Sequence, residues 1–302
     1  MIVSKIKTFF LATKGELLKS WLRISSTKII KQASLQHSNN GEERIVVSLT
    51  SYGRRVKATL PYTILSLLRQ TKKPDRIIVW LDKSWSDINL PKKLSRFKSA
   101  GIEFKFCDDL KSFKKLIPSL SMFPNDIIIT CDDDLFYNKH MVERLLSAHG
   151  ENPNTICCQL AHGMKFVGEK LQPYNQWEEE IYDTHNNVFP LGGSGCLYKA
   201  EYLYKDVINY ELAIRLAPKA DDVWFFFMGL LNGSKRYVLP NIKDIVIPLD
   251  AFYQFFHKGA SLMDENLSQG MNDKQISAVM DYYSITSKII CGHENYSNNS
   301  VL

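Results

Sequence analysis

The sequence predicts an α/β fold built on a Rossmann-like, mostly parallel sheet flanked by helices. Three observations lead there. From Arg44 onward, short β-rich runs alternate with stretches of helical periodicity, and strands separated by helices of that length need crossover connections. Acidic and small polar residues collect just after those runs, where parallel sheets bind their ligands. A chain of 302 residues with 45% hydrophobic content can also bury a large core.

The elements follow in order. Residues 1–30 repeat apolar side chains at helical spacing (Ile2, Ile6, Phe9, Leu17, Trp21, Ile24) with lysines on the other face. Such a segment can pack on the main domain or lie on an anionic membrane surface. Ser34 to Glu43 is polar and reads as a linker. The spacing then predicts strand Arg44–Thr50, helix Lys57–Gln70, strand Arg76–Leu81, helix Lys92–Ser99 and strand Ile102–Cys107. Helix Ser112–Phe123, strand Asp126–Cys131 and helix Lys139–His149 complete the regular half.

Beyond them lie an aromatic and acidic loop at Tyr174–Phe189, a glycine-broken strand at Pro190–Lys199, and helices Val207–Leu216 and Asp222–Leu231. Short strands at Arg236–Leu239 and Ile245–Leu249 follow, with no internal repeat. The expected organisation is a basic amphipathic segment and linker over residues 1–40, one domain over 41–290, and a polar tail over 291–302.

The net charge of +6 would suggest nucleic acid until it is located. Residues 1–40 hold Lys5, Lys7, Lys14, Lys19, Arg23, Lys28 and Lys31 against Glu16 alone, so residues 41–302 carry 31 charges of each sign. A balanced body argues against nucleic acid as a partner. The six cysteines form no CxxC pair and sit mostly in apolar runs, as in a reducing compartment. No apolar stretch reaches the roughly 18 residues that cross a bilayer. The expected location is cytoplasmic, at the inner face of the cell membrane if residues 1–30 touch it.

Chemistry concentrates in three places. Ile127–Cys131 runs straight into Asp132-Asp133-Asp134, and three adjacent carboxylates repel one another unless a cation or strong donors compensate. An all-carboxylate cluster suits Mn²⁺ or Mg²⁺. A solvated loop or helix start is the plainer alternative. Asp221-Asp222 open a strongly apolar helix, where they can cap it or supply a general base for an attacking hydroxyl. Gly192, Gly193 and Gly195 permit close approach of a ligand to backbone, or a bulge; the spacing is not that of a dinucleotide fingerprint.

Further pieces join these: Ser48-Leu49-Thr50-Ser51-Tyr52, Leu67-Leu68-Arg69-Gln70-Thr71 with Pro74-Asp75, Ile77–Asp82 and Lys114-Lys115-Leu116-Ile117-Pro118. In this order, from about Val46 to Gly233, they resemble glycosyltransferases of the GT-A fold. The likeness is greatest to family 2-like bacterial enzymes that build surface polysaccharides, with the triplet as the DxD motif.

The resemblance implies a nucleotide-sugar donor, by preference a UDP-sugar, and a glycan or lipid-linked saccharide acceptor. Thr50, Ser51, Tyr52 and Asp82 would contact the nucleoside, with Lys115, Asp133, Gly192 and Gly193 also lining the donor site. Asp132 and Asp134 would reach ribose and metal, Asp134 being the preferred ligand. Asp222 would be the base; family pairs are often Glu-Asp, so Asp221 stays open for that role. His257 stands where a further metal ligand can fall, and a structural histidine is the alternative. Two other functions share parts of this pattern. A sugar-nucleotide nucleotidyltransferase would need a basic, glycine-rich triphosphate loop, which Ser51-Tyr52-Gly53-Arg54-Arg55 only partly supplies. A non-catalytic nucleotide-sugar or carbohydrate-binding protein would not need both acidic clusters.

Overall fold

Ile45–Thr50 (β1) is buried at all six positions, as a strand covered on both faces must be. The computed structural model describes residues 2–36, 43–86, 88–256 and 270–292. Helix α1 (Ile2–Gln32) leads to β1, and β2 (Arg76–Asp82), β3 (Ile102–Cys107) and β4 (Ile127–Cys131) join it in parallel. Then come β5 (Leu135–Tyr137), β6 (Thr155–Cys158) and β7 (Ala161–Gly163). The short β8 (Phe166–Val167) and β9 (Lys170–Leu171) form a hairpin, and β10 (Glu178–Ile181) and β11 (Val188–Pro190) flank β7. Last are β12 (Cys196–Tyr198), β13 (Lys235–Val238) and β14 (Val246–Pro248).

The main sheet runs β13-β6-β12-β4-β1-β2-β3. It is parallel except for β12, which lies antiparallel between β4 and β6. Side chains alternate between two cores, so Val46, Ile78 and Ile128 face one and Val47, Val79 and Ile129 the other. The first core is filled by the Asp221–Leu231 helix, which is buried along nearly its whole length. The second is covered by α1 and the Leu60–Leu67 helix.

Prolines shorten two expected helices. The stretch expected as Lys57–Gln70 divides at Thr59, with Pro61 in the first turn of Leu60–Leu67. The stretch expected as Ser112–Phe123 becomes a 3-10 turn over Lys111–Lys115 and a helix over Ile117–Met122, with Pro118 in its first turn. The Tyr174–Phe189 loop contains β10 and the start of β11, and the Pro190–Lys199 strand is a 3-10 turn at Gly192–Ser194 followed by β12.

Helix α1 packs by one face. Ala12, Leu22 and Ser26 are buried, and a Cβ on Gly15 would stand 2.4 Å from Pro248 O, so the helix lies close on the end of β14. Within the expected linker, Gln36 N donates to Pro74 O at 2.9 Å, and residues 37–42 lie outside the described ones. So do His257 and most of the polar tail, 293–302.

Candidate active site

The carboxyl ends of β1 and β4 are neighbours in the sheet, so Ser51 and the acidic triplet meet by topology. Ser51 is fully buried and its hydroxyl donates to Asp133 Oδ2. Arg55 reaches the same place, with Nη1 3.3 Å from Asp133 Oδ1 and Nη2 3.0 Å from Asp134 Oδ2. Asp133 and Asp134 are buried, and Thr63 Oγ1 donates to the Asp133 carbonyl at 2.9 Å. Burial, and then the neighbouring Asp134, raises Asp133 to about 7. Burial likewise raises Asp134 to about 6, against the pull of Arg55. Burial works against the Arg55 cation, but the Asp134 and Asp133 carboxylates hold it still more firmly protonated.

Asp132 points elsewhere. Its side chain is the most open of the three, and its Oδ1 accepts from Lys115 Nζ at 2.6 Å. Lys115 is buried, and its Nζ also lies 3.2 Å from Asp221 Oδ2, an oxygen with no hydrogen bond of its own. Desolvation disfavours this ammonium, yet Asp132, Asp221 and Asp222 raise it well above the ordinary lysine value. One lysine therefore joins the triplet on β4 to the acid pair on the Asp221–Leu231 helix.

That pair is not spent on its own helix. The N-cap is Ala220, and Asp222 Oδ1 accepts from Gly192 N at 3.0 Å. Burial, and then Asp221, pushes the half-buried Asp222 up to about 7. The glycine loop serves both clusters by having no side chains. A Cβ on Gly193 would stand 1.9 Å from Asp132 Oδ2, and one on Gly192 would stand 2.9 Å from Asp222 Oδ1. The buried Tyr137 hydroxyl accepts from Asp132 N at 2.7 Å and donates to Gly193 O, fixing loop to strand.

The other expected residues divide. Tyr52 is half exposed at the mouth, with the Arg55 guanidinium 5.7 Å from its ring centre. Thr50 Oγ1 is turned into the sheet, donating to Trp80 O at 3.0 Å, and Asp82 accepts Ser84 N at 2.9 Å within its own turn. Sequence reasoning assigned no role here to Arg55, Tyr137 or Asp250. Asp250 pairs with Arg54 and lies 3.9 Å from Arg55 Nε. For Arg55 the signal was its place in the loop directly after β1; for Tyr137 and Asp250 there was none.

The charges do not balance. Six carboxylates (Asp132, Asp133, Asp134, Asp221, Asp222, Asp250) meet three cations (Arg54, Arg55, Lys115). A divalent ion fits that excess. Among the described residues, no three His, Cys, Asp or Glu side chains are gathered to hold one alone. The site suits an ion that takes one or two carboxylates and completes its shell with substrate phosphates.

The family model for glycosyl transferase family 2 matches residues 46–207, more than half of the chain. The chain belongs to that family. It is a glycosyltransferase, and the match spans β1 to β12 with the triplet and the glycine loop inside it and the Asp221-Asp222 pair beyond its end. A comparison with curated proteins returned no match.

Among solved structures the chain is similar to S. aureus TarS 1–349 in complex with UDP, at 14% identity over 80% of this chain and 72% of that one, TM-score 0.44. It is similar to 4-diphosphocytidyl-2C-methyl-D-erythritol synthase at 9% identity over 76% and 98%, TM-score 0.44. It is also similar to the mannosyltransferase PcManGT from Pyrobaculum calidifontis, in complex with GDP-Man and Mn²⁺, at 10% identity over 92% and 86%, TM-score 0.43.

Proposed function

We propose that this family 2 enzyme is an inverting, metal-dependent glycosyltransferase. It moves a sugar from a nucleoside diphosphate, by preference UDP, to a hydroxyl of a glycan or lipid-linked saccharide in the building of bacterial surface polysaccharide. The observation that carries the reading is Asp222. It is half-buried, holds the Gly192 amide rather than capping its helix, and adjoins Asp221, which Lys115 joins to the triplet.

In the step, Asp222 takes the proton of the acceptor hydroxyl as that oxygen bonds to the anomeric carbon. The bond from that carbon to the diphosphate oxygen breaks, and its electron pair leaves with the diphosphate. Attack and departure on opposite faces invert the anomeric centre, with an oxocarbenium-like state between them by analogy with glycosidases. Mn²⁺ or Mg²⁺, held by Asp134 with Asp132, would supply Lewis-acid charge against the departing diphosphate.

Ser51 and Arg55 keep Asp133 and Asp134 in place, Gly192 and Gly193 leave room for the Asp222 and Asp132 side chains, and Tyr52 offers its ring at the mouth. On this reading Thr50 and Asp82, whose side chains are engaged with Trp80 O and Ser84 N, line the nucleoside side from the ends of β1 and β2. Nucleotidyl transfer is disfavoured, because Arg54 and Arg55, the basic residues of the loop after β1, are paired with Asp250, Asp133 and Asp134. The same reading places the enzyme at the inner face of the cell membrane, touching it through residues 1–30.

Thermal-shift titration with a panel of nucleotide sugars, with and without Mn²⁺, tests the assignment. A UDP-sugar should raise Tm only when Mn²⁺ is present. A panel in which no donor stabilises the protein would overturn it.

A further inference from the structure

Once α1 has packed its inner face, its outer face is still apolar. Phe10, Leu17 and Ile24 recur every seven residues and so share one line along the helix. They are 68%, 67% and 84% exposed, and Phe9 and Trp21 flank them at 55% and 42%. The strip does not stop at the helix. Phe9 meets Phe252 edge to face at 6.1 Å, and Phe252 belongs to the Ala251–Phe256 helix, which also carries the exposed Phe256 and the partly exposed Tyr253.

Arg54 lies 3.5 Å over the Tyr253 ring and pairs with Asp250, beside Arg55 and the triplet. An exposed apolar surface therefore runs from the mouth of the active site, where Tyr52 stands, along α1 from Phe9 to Ile24. It holds eight of the thirteen large exposed hydrophobic residues among those described.

Its charge says what covers it. Arg23, Lys28 and Lys31 are exposed on α1. Lys28 and Lys31 continue the lines of Trp21 and Ile24 seven residues on, and residues 1–40 carry seven basic side chains against one acidic. A second copy would bring the same positive charge to the contact, whereas an anionic lipid surface complements it. No helix among the described residues is long and apolar enough to cross a membrane, so the fitting mode is to lie in the interface.

We propose that this strip seats on an anionic bilayer with the mouth of the active site against it, and that the acceptor is a saccharide borne on a membrane lipid. The acceptor half of this inference rests on the glycosyl-transfer reading above; the lipid contact stands without it.

Co-sedimentation of the full chain with phosphatidylcholine vesicles, with and without phosphatidylglycerol, tests the contact. Calorimetry with UDP and Mn²⁺ reads the donor site separately. Wild type should bind the vesicles containing phosphatidylglycerol. Leu17→Asp with Ile24→Asp, and independently Lys28→Glu with Lys31→Glu, should each weaken that binding at least about tenfold while UDP binding stays unchanged. Equal binding by the variants, or no binding by wild type, overturns the proposal. A concentration-dependent dimer that the Leu17→Asp, Ile24→Asp variant dissolves overturns it too, by assigning the face to a second copy. Failure of wild type to bind UDP would count against the donor reading and leave the vesicle result standing.

Discussion

The triplet on β4 and the pair at the start of the Asp221–Leu231 helix are both clustered, largely buried carboxylates, yet they are held in different ways. Asp133 and Asp134 are splinted by a guanidinium and a serine hydroxyl. Asp221 and Asp222 have a share of one ammonium and one backbone amide. A carboxylate clamped by arginine keeps its geometry. Burial and a like charge raise Asp133 and Asp222 alike to about 7, but Asp222 holds only a backbone amide, with no guanidinium or hydroxyl clamping it, and can accept a proton near neutral pH and release it again. On the function proposed above, this difference in clamping separates a scaffold for charge from a group poised for proton transfer.

The most severe test of this contrast is Asp134→Ala. Transfer should fall to background and the Mn²⁺-dependent part of UDP binding should vanish, while melting changes little because Arg55 keeps Asp133 and Asp250. Unchanged Mn²⁺-dependent binding by calorimetry would remove Asp134 from the metal.

Asp222→Asn comes next, with a loss of about 10²–10⁴ in kcat. UDP affinity should be normal. Since the base works deprotonated, wild-type kcat/KM should rise with pH through about 7 and then level, and the variant should lose that rise. The sign for stability is opposite. A folded-state pKa raised above the unfolded value of about 3.9 contributes stability below that value and loses it as pH rises through about 7. The variant should therefore melt no earlier than wild type above pH 7. Early melting with near wild-type turnover would make Asp222 a structural residue and move the base to Asp221.

Lys115→Met removes what the two clusters share. Two carboxylates lose a buried partner, so unfolding by denaturant should report a loss of about 3–5 kcal/mol. A loss under about 1 kcal/mol would mean that the clusters are stable without their link.

The finest comparison uses adjacent glycines. Gly193→Ala crowds Asp132 and should destabilise by about 1–3 kcal/mol while weakening UDP binding. Gly192→Ala presses more gently on Asp222 and should reduce turnover with UDP affinity kept. If both variants lose nucleotide alike, the loop does not serve the two clusters separately.

The regular half was legible because Ile127–Cys131 and its neighbours are long apolar runs with acids at their ends. The helix breaks at Pro61 and Pro118 were written in the chain but needed weighing against helical periodicity. Thr155–Cys158 escaped notice: four residues with two cysteines carry little pattern, and the strand exists because β12 and β13 pair with it. Periodicity also gives no strand direction, so the reversed β12 could not be read.

Within the site, each acidic cluster is local and was visible as such. Its partners are not. Ser51 meets Asp133 across 82 residues and Arg54 meets Asp250 across 196, distances at which only the folded chain decides who is adjacent. Lys115 was drawn in by resemblance, and its burial between two acids depends on packing that no spacing records.

That lysine also bears on how the enzyme can diverge. Because one side chain answers to acids on β4 and on the Asp221–Leu231 helix, a change at either address alters the setting of the other, and their effects will not add. Lineages of this chain should exchange Asp132, Lys115 and Asp221 together or keep them together. Donor and acceptor preference can then drift at the rim, at residues such as Tyr52 and Tyr253, while the charged centre is inherited as one piece.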